Sequence, residues 1–378
     1  MERLIWRGRG LARLDNGQVV LLEPGVFPGE RIKAKVTKAA KDYIRAQCTE
    51  ILEPSNTRRG HPCSLSHQCG GCRFGVLPYL EQLNHKHRIL ISEMRRSLGK
   101  KWAGHAPWEA AIHPSPARWR YRWRGQVQVR EGAAHFQALG SRDLVPFRDC
   151  LLFSRPLSRG IQKLLPSLEP GRWTVAASPM DGTARTRGSQ DWIPLPLKDY
   201  GVTLKIPPAS FFQANWDLNR ELVGFVQTRV ADLKRVADIY AGGGNFALPC
   251  AAAGNQVLAL EGDPEAVKGA RMAARDANLE NIRIQEMQLG RENPARTLED
   301  FAPQGLILDP PRAGGGKRLH GLGSLPDLKR LVWISCDVVN TCRDLIPFLE
   351  GGWRIRETAL FDMFPQTWHM EAVLILER

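Results

Sequence analysis

Val236-Ala237-Asp238-Ile239-Tyr240-Ala241-Gly242-Gly243-Gly244-Asn245 is a short apolar run that opens into three glycines, and a helical pattern follows it. An apolar run of this length bounded by glycine reads as a buried strand ending in a tight turn. Glycine lets backbone approach a ligand closely, and doubly wound folds bind nucleotides at the carboxyl edge of their sheet. Glu261 ends the next apolar run, 23 residues after Asp238. In dinucleotide-binding folds an acid at that place accepts hydrogen bonds from ribose hydroxyls. The loop is not G-x-G-x-x-G and lacks the lysine of a Walker phosphate loop, so adenosine binding is the better reading of strand, turn and acid together.

Further apolar runs lie at Gln256 to Leu260, Gly305 to Leu308 and Arg330 to Ile334, alternating with helical patterns at Trp216 to Leu233 and Pro264 to Asn278. That alternation predicts a parallel sheet covered on both faces from about residue 206 onward. Leu306-Ile307-Leu308-Asp309-Pro310-Pro311-Arg312 sets an acid at a strand end, before a turn that proline stiffens and that can hold a planar base. The plain alternative is a strand-terminating bend. Cys336 ends the following strand, where active sites of open sheets collect. This makes it a candidate nucleophile, against the alternative of a buried thiol.

The chain has 378 residues, 43% hydrophobic and 24% charged, which describes a globular protein of two or three domains and excludes a disordered or disulfide-stapled chain. Its net charge of +14 is uneven. Residues 1–130 hold 24 basic and 10 acidic side chains, whereas the remainder holds 29 of each. A concentrated positive field suits a polyanion, with nucleic acid the first choice. No long apolar run argues for a membrane span, and the start lacks a signal peptide, so a cytoplasmic location is expected. In a reducing compartment, clustered cysteines such as Cys63, Cys69 and Cys72 read as metal ligands or catalysts.

Residues 1–54 carry short β-like runs between turn signals, as in a small OB-type barrel, and Tyr79 to Leu98 has helical spacing that ends at Gly99. Residues 55–205 read as a mostly β central domain, with the 79–98 helix free to pack on the catalytic domain. Within it, Arg118-Trp119-Arg120-Tyr121-Arg122-Trp123-Arg124 alternates cations and rings, predicting a strand with an arginine row on one face for RNA.

Taken together, Phe211-Phe212-Gln213-Ala214-Asn215, the Asp238–Phe246 loop, Glu261, Asp309 to Arg312, Ser335-Cys336, Arg343-Asp344 and Phe364-Pro365-Gln366-Thr367-Trp368-His369-Met370-Glu371 follow one another in a recognisable order. In this the chain resembles the bacterial RNA 5-methyluridine methyltransferases of the RumA/RlmD type. Cys63, Cys69, Cys72 and Cys150 match the family's four-cysteine iron-sulfur site, and residues 1–54 resemble its TRAM domain. The loop departs from the family in beginning with Ala241 instead of cysteine, and Trp123 and Asp337 replace common asparagines.

The resemblance implies an α/β chain: a TRAM-like OB barrel (1–54), a β-rich central domain (55–205) and a Rossmann-like class I methyltransferase domain (206–378). It implies that Gln213, Tyr240, Gly242, Gly244, Asn245, Glu261, Gln288 and Asp309 line the S-adenosylmethionine and target-base pocket. Cys336 would be the nucleophile, Glu371 the general base, and Arg343 a cation favouring the thiolate. Thiolate addition at carbon 6 of uracil makes carbon 5 nucleophilic enough to accept a methyl group. Four cysteines would hold a 4Fe-4S cluster, although spacing alone also suits zinc. The expected partner is RNA, foremost 23S ribosomal RNA with a flipped uridine, bound by a monomer without a membrane. Transfer RNA is the alternative substrate; an amino-methyltransferase and a non-catalytic RNA-binding assembly protein are the rival functions.

Overall fold

A computed structural model of the chain describes residues 1–102, 104 and 108–378. The first five strands, β1 (Arg3–Ile5), β2 (Arg9–Arg13), β3 (Val19–Leu22), β4 (Arg31–Ala39) and β5 (Tyr43–Glu53), form one sheet in the order β1-β2-β3-β5-β4. All pairs are antiparallel except β3 with β5. Its own core is only Val20, Leu22, Val26 and Ala46, too few apolar groups to stand alone. Leu4 and Phe27 instead join the large core of the C-terminal half, together with Phe74 and Leu77.

Helix α1 (Tyr79–Leu98) stops where expected, at Gly99 with φ +73, and packs against the catalytic half through Ile89, Leu90 and Met94. After β6 (Ala111–His113), a second sheet is built from β7 (Arg124–Arg130), β8 (Ala133–Gln137), β9 (Leu144–Pro146), β10 (Gly171–Ala177) and β11 (Ala184–Thr186), in the order β11-β10-β7-β8-β9. Helix α2 (Arg155–Leu164) covers one face of it, burying Leu157 and Ile161 against Val127, Val129 and Val175.

The arginine-aromatic stretch departs from its expected strand. Residues 118–123 are irregular, and Arg120 takes φ +61. Arg120 pairs with Asp149 at 2.5 Å, Arg118 lies over the Tyr79 ring, and Tyr121 is buried with its hydroxyl donating to the Pro365 carbonyl at 3.0 Å. Arg118 and Arg120 are thus held apart by separate partners, whereas Arg122 and Arg124 line one cavity.

The hairpin of β12 (Ile193–Leu197) and β13 (Val202–Ile206) buries its apolar face with the C-terminal half, although its position in the sequence groups it with the β-rich residues before it. Then follow α3 (Trp216–Val230), β14 (Arg235–Ile239), α4 (Ala247–Ala252), β15 (Gln256–Glu261), α5 (Pro264–Asp276), β16 (Ile282–Glu286), α6 (Ala295–Phe301), β17 (Gly305–Leu308), β18 (Arg330–Ser335), α7 (Val338–Glu350), β19 (Arg354–Phe361) and β20 (Glu371–Glu377). Their sheet has the order β16-β15-β14-β17-β18-β20-β19-β6, parallel except for β20, which runs against both neighbours. The apolar runs read as buried strands are buried on both faces: Gly305–Leu308 throughout, and Leu331 to Ser335 likewise. Among the described residues no helix is long and apolar enough to cross a membrane.

Candidate active site

Strand order reverses between β14 and β17, the position at which a crevice opens beyond the carboxyl ends of a doubly wound sheet. Tyr240 leaves β14 at φ +70, a region that side chains with a Cβ rarely adopt. Gly242 and Gly244 follow at φ +54 and +88. A Cβ on Gly242 would meet nothing within 4 Å, so that glycine faces open space; one on Gly244 would lie 2.8 Å from Leu248, so helix packing fixes that position. Burial pushes the Tyr240 hydroxyl up in pKa, with Asp344 and Glu261 adding to the shift and Arg318 opposing it.

Glu261, at the end of β15, ties this turn to the next loop. Its carboxylate accepts hydrogen bonds from the N–H groups of Gly242 at 2.7 Å and of Gly262 and Asp263 at 2.8 Å. Gln288 reaches the same rim, its side chain donating to the Gly262 carbonyl at 2.5 Å. Asn245 does not turn its amide to the crevice; it exchanges hydrogen bonds of 2.8 and 3.0 Å with Asn219 on α3.

Beneath the loop, Asp238 is fully buried, accepts from the Ala247 N–H at 3.0 Å, and has one oxygen with no partner. Burial raises its pKa to about 8, with Asp309 and Glu261 contributing. Asp309, directly after β17, is pushed up to about 7 by burial, against a hydrogen bond from Gln213 that favours its carboxylate. This concentration of acids on one edge suits a cationic ligand.

Backbone pairing brings the proposed nucleophile and base together. Strands β18 and β20 are antiparallel with Ser335 opposite Ala372, and the same register continued one step sets Cys336 opposite Glu371. Burial pushes the Cys336 thiol up to about 12, and Glu371 and Asp309 push the same way; Arg312 opposes them by its charge and a hydrogen bond. Glu371, 4% exposed, is held well above the usual carboxylate range by burial and by Asp309, with Arg312 again opposing. The cation facing the thiol is therefore Arg312, which the sequence marks only as the end of the Asp-Pro-Pro turn. Arg343, expected in that role, donates instead to Asp344 at 2.8 Å and to the Ala313 carbonyl at 2.9 Å.

The loop leading into Glu371 is held from far along the chain. Lys86 of α1, wholly buried, donates to Asp362 and, at 3.0 Å, to the Phe364 carbonyl. Gln82 exchanges 2.8 Å hydrogen bonds with Gln366, whose φ is +68.

Cys63, Cys69, Cys72 and Cys150 are free and partly buried. Cys69, Cys72 and Cys150 line one cavity of about 470 Å³ with Arg122, Arg124 and Arg312. Burial pushes the Cys72 thiol up, and Cys150, Cys69 and Cys63 all add to the effect. Among the described residues no three His, Cys, Asp or Glu side chains converge closely enough to hold a single metal ion.

Comparison with known proteins agrees with this edge chemistry. Residues 189–378 match the family model described as tRNA (Uracil-5-)-methyltransferase. Relatives named 23S rRNA (uracil(1939)-C(5))-methyltransferase RlmD match the whole chain, at 30% identity over 88% of the Chromohalobacter salexigens protein and 28% over 92% of that of Pseudomonas putida. A solved structure, the Pyrococcus abyssi tRNA (uracil-54, C5)-methyltransferase in complex with S-adenosyl-L-homocysteine, shares the fold. Its TM-score is 0.72 at 21% identity, over 97% of this chain and 100% of that one. With a family model spanning the catalytic half and relatives aligned end to end, this chain belongs to the tRNA (uracil-5-)-methyltransferase family.

Proposed function

We propose that the chain transfers a methyl group from S-adenosylmethionine to carbon 5 of a uridine in RNA, with Cys336 as nucleophile and Glu371 as general base. The observation that supports this reading is that Cys336 and Glu371 lie just beyond the last β18–β20 pair, Ser335 with Ala372, and that Glu371 and Arg312 both act on the thiol. When bound, S-adenosylmethionine supplies an electrophilic methyl group on a cationic sulfur. Glu261 would accept from the ribose hydroxyls, Gln213, Gln288 and Asp309 would line the pocket, and the loop from Tyr240 to Asn245, with Gly242 and Gly244 inside it, would form its wall. The acid edge made by Asp238, Asp309 and Glu261 favours the positive charge.

On the substrate side, the Cys336 thiolate would add to carbon 6 of the uracil, so that the ring's electron pair moves towards carbon 5 and takes up the methyl group, whose bond to the donor sulfur breaks with its pair left on sulfur, as S-adenosylhomocysteine. Glu371 then removes the proton from carbon 5, the carbon-sulfur bond breaks, and the thiolate is regenerated. Arg312 steadies the thiolate at both ends of this cycle. A base paired in a helix cannot reach a thiol at a sheet edge, so the target uridine is turned out of its stack.

Cys63, Cys69, Cys72 and Cys150 would hold a 4Fe-4S cluster. Cys69, Cys72 and Cys150 line one cavity and Cys63 acts electrostatically on Cys72, and an all-thiol donor set is the chemistry such a cluster takes. Its role would be structural, tying the 63–72 loop to the central sheet through Cys150. An anaerobic preparation should be brown and contain iron and sulfide; a colourless one with stoichiometric zinc overturns the assignment.

Ribosomal RNA is the favoured substrate because the relatives aligned over the whole chain carry 23S names; the family's own description supports transfer RNA as the second reading. Mapping 5-methyluridine in RNA from cells with and without the protein decides between them. For the mechanism, Cys336→Ala abolishes methylation, whereas Glu371→Gln methylates once and accumulates a covalent protein-RNA adduct. Near-normal turnover by the alanine variant would sink the assignment.

A further inference from the structure

The central sheet has one face covered by α2 and one without a covering element. On the open face, strand pairing aligns Arg172, Gln128 and His135 in one cross-strand row, and Gln126 and Gln137 lie two residues along the same strands. Together with Arg142 these side chains line a shallow cavity of about 420 Å³. Arg172 donates to Gln126 and so orients that amide, while the Gln128 amide has no hydrogen-bond partner among the described residues. Two residues, Gln126 and Phe136, also line the neighbouring cavity that contains Arg122, Arg124 and Arg312. The two cavities therefore adjoin at these two residues.

No Asp or Glu lines either cavity, although the chain as a whole has 39 of them. Buried Nε atoms of Arg122 and Arg124 lack hydrogen-bond partners. Arg142 and Arg172 at the sheet-face cavity suit a chain of phosphates, and the amide and imidazole groups between them suit base edges. Those edges are free only in an unpaired strand.

We propose that this sheet face is the docking track for the single-stranded RNA flanking the target nucleotide, with Arg142 and Arg172 taking its phosphates. The inference rests on the reading of the chain as an RNA methyltransferase. Both arginines at the outer end are exposed, so replacing them leaves the fold intact.

The test uses the full chain, purified as the holoprotein, and compares Arg142→Gln/Arg172→Gln with Lys234→Gln/Lys329→Gln. The second pair removes the same charge from exposed positions just before β14 and β18, at the opposite edge of the catalytic sheet. Fluorescein-labelled oligouridylate is titrated at several salt concentrations, and S-adenosylhomocysteine binding is measured by calorimetry. Losing two phosphate contacts should lower the slope of log K against log salt by about 1.4, at roughly 0.7 per single-strand phosphate. Affinity for the oligonucleotide should fall several-fold, with S-adenosylhomocysteine binding unchanged. If the arginine pair behaves like the lysine pair, the track is wrong. Failure of the wild-type protein to methylate any RNA would instead remove the underlying function, so the two outcomes are distinguishable.

Discussion

Arg312→Gln isolates the most informative electrostatic contact in the site. Under the proposed function only the thiolate of Cys336 adds to the ring, and with its pKa pushed to about 12 the thiolate is about one part in ten thousand at pH 8. Arg312 lowers that pKa by its charge and by a hydrogen bond. A hydrogen bond to a charged group contributes roughly 1.5–3 kcal/mol, or about one to two pKa units. Arg312 is itself exposed, so solvent screens it and the lower end applies: about one unit. Removing it should cut the thiolate fraction, and the rate of methyl transfer, about tenfold. Because the thiol lies far above the working range, log rate should rise with pH in both proteins between about pH 7 and about pH 9, as parallel lines one unit apart. The assay is single-turnover transfer of labelled methyl from S-adenosylmethionine at saturating RNA, so that loss of RNA affinity does not enter. Arg312→Lys, which keeps the charge, should recover part of the loss. Equal rates for Arg312→Gln and wild type, or a rate independent of pH, would refute the reasoning.

Three further outcomes test the surroundings. Glu261→Gln removes the charge and turns one of the two accepting oxygens into a donor facing a backbone N–H; S-adenosylmethionine affinity should fall by about 2 kcal/mol by calorimetry, roughly thirtyfold. Lys86→Met strands Asp362 in a fully buried site, so urea denaturation should show a loss of about 3–5 kcal/mol, and Lys86→Met/Asp362→Leu should recover most of it. Asp238 has a folded pKa of about 8 against an ordinary value near 3.8, so the unfolded chain ionises first as pH rises. Its stabilising contribution is complete below about pH 4 and is lost progressively up to about pH 8. Asp238→Asn should therefore lose less stability than wild type between those limits, read as the change in urea midpoint.

The sequence carried those parts of the site whose signals are local. The Val236–Ile239 run, the turn after it, Glu261 and Cys336 were legible because a buried strand and the residue that ends it lie within a few positions of each other. The Tyr79–Leu98 helix was equally legible, since its period and its Gly99 stop are both local. What escaped depends on distant pairing. Nothing near Lys86 announces that Asp362, 276 residues later, will neutralise it. Nor does Ala111–His113, three residues long, reveal that it closes the edge of the catalytic sheet. Arg312 and Arg343 were both visible as cations near catalytic motifs, and only the fold of the Pro310-Pro311 turn decides which one meets the thiol. Residues 118–124 failed differently: their period was that of a strand, but Arg118 and Arg120 found separate partners, and tertiary contacts overrode the pattern.

Charge is divided across this cleft in a way that fits two reactants of opposite sign. Asp238, Glu261 and Asp309 gather at the ends of β14, β15 and β17, where burial holds Asp238 and Asp309 far above their ordinary pKa values and repulsion from Asp309 and Glu261 adds to the shift of Asp238. Such a group of acids is unfavourable by itself and becomes less so beside a cation, so a sulfonium would gain affinity from the same interaction that disfavours the unliganded edge. Arg122, Arg124 and Arg312 line the cavity on the other side, with no carboxylate among them, and there a phosphate chain gains for the converse reason. Cys336 and Glu371 lie on the border between the two fields, each shifted upward first by burial and also by Asp309, and drawn back by Arg312. A thiol at that border remains protonated when the site is empty. Its ionisation then depends on the balance between the acid edge and Arg312, and a bound cation on the acid side tips that balance towards the thiolate. Under the proposed function, the nucleophile is most readily formed when the methyl donor is already in place.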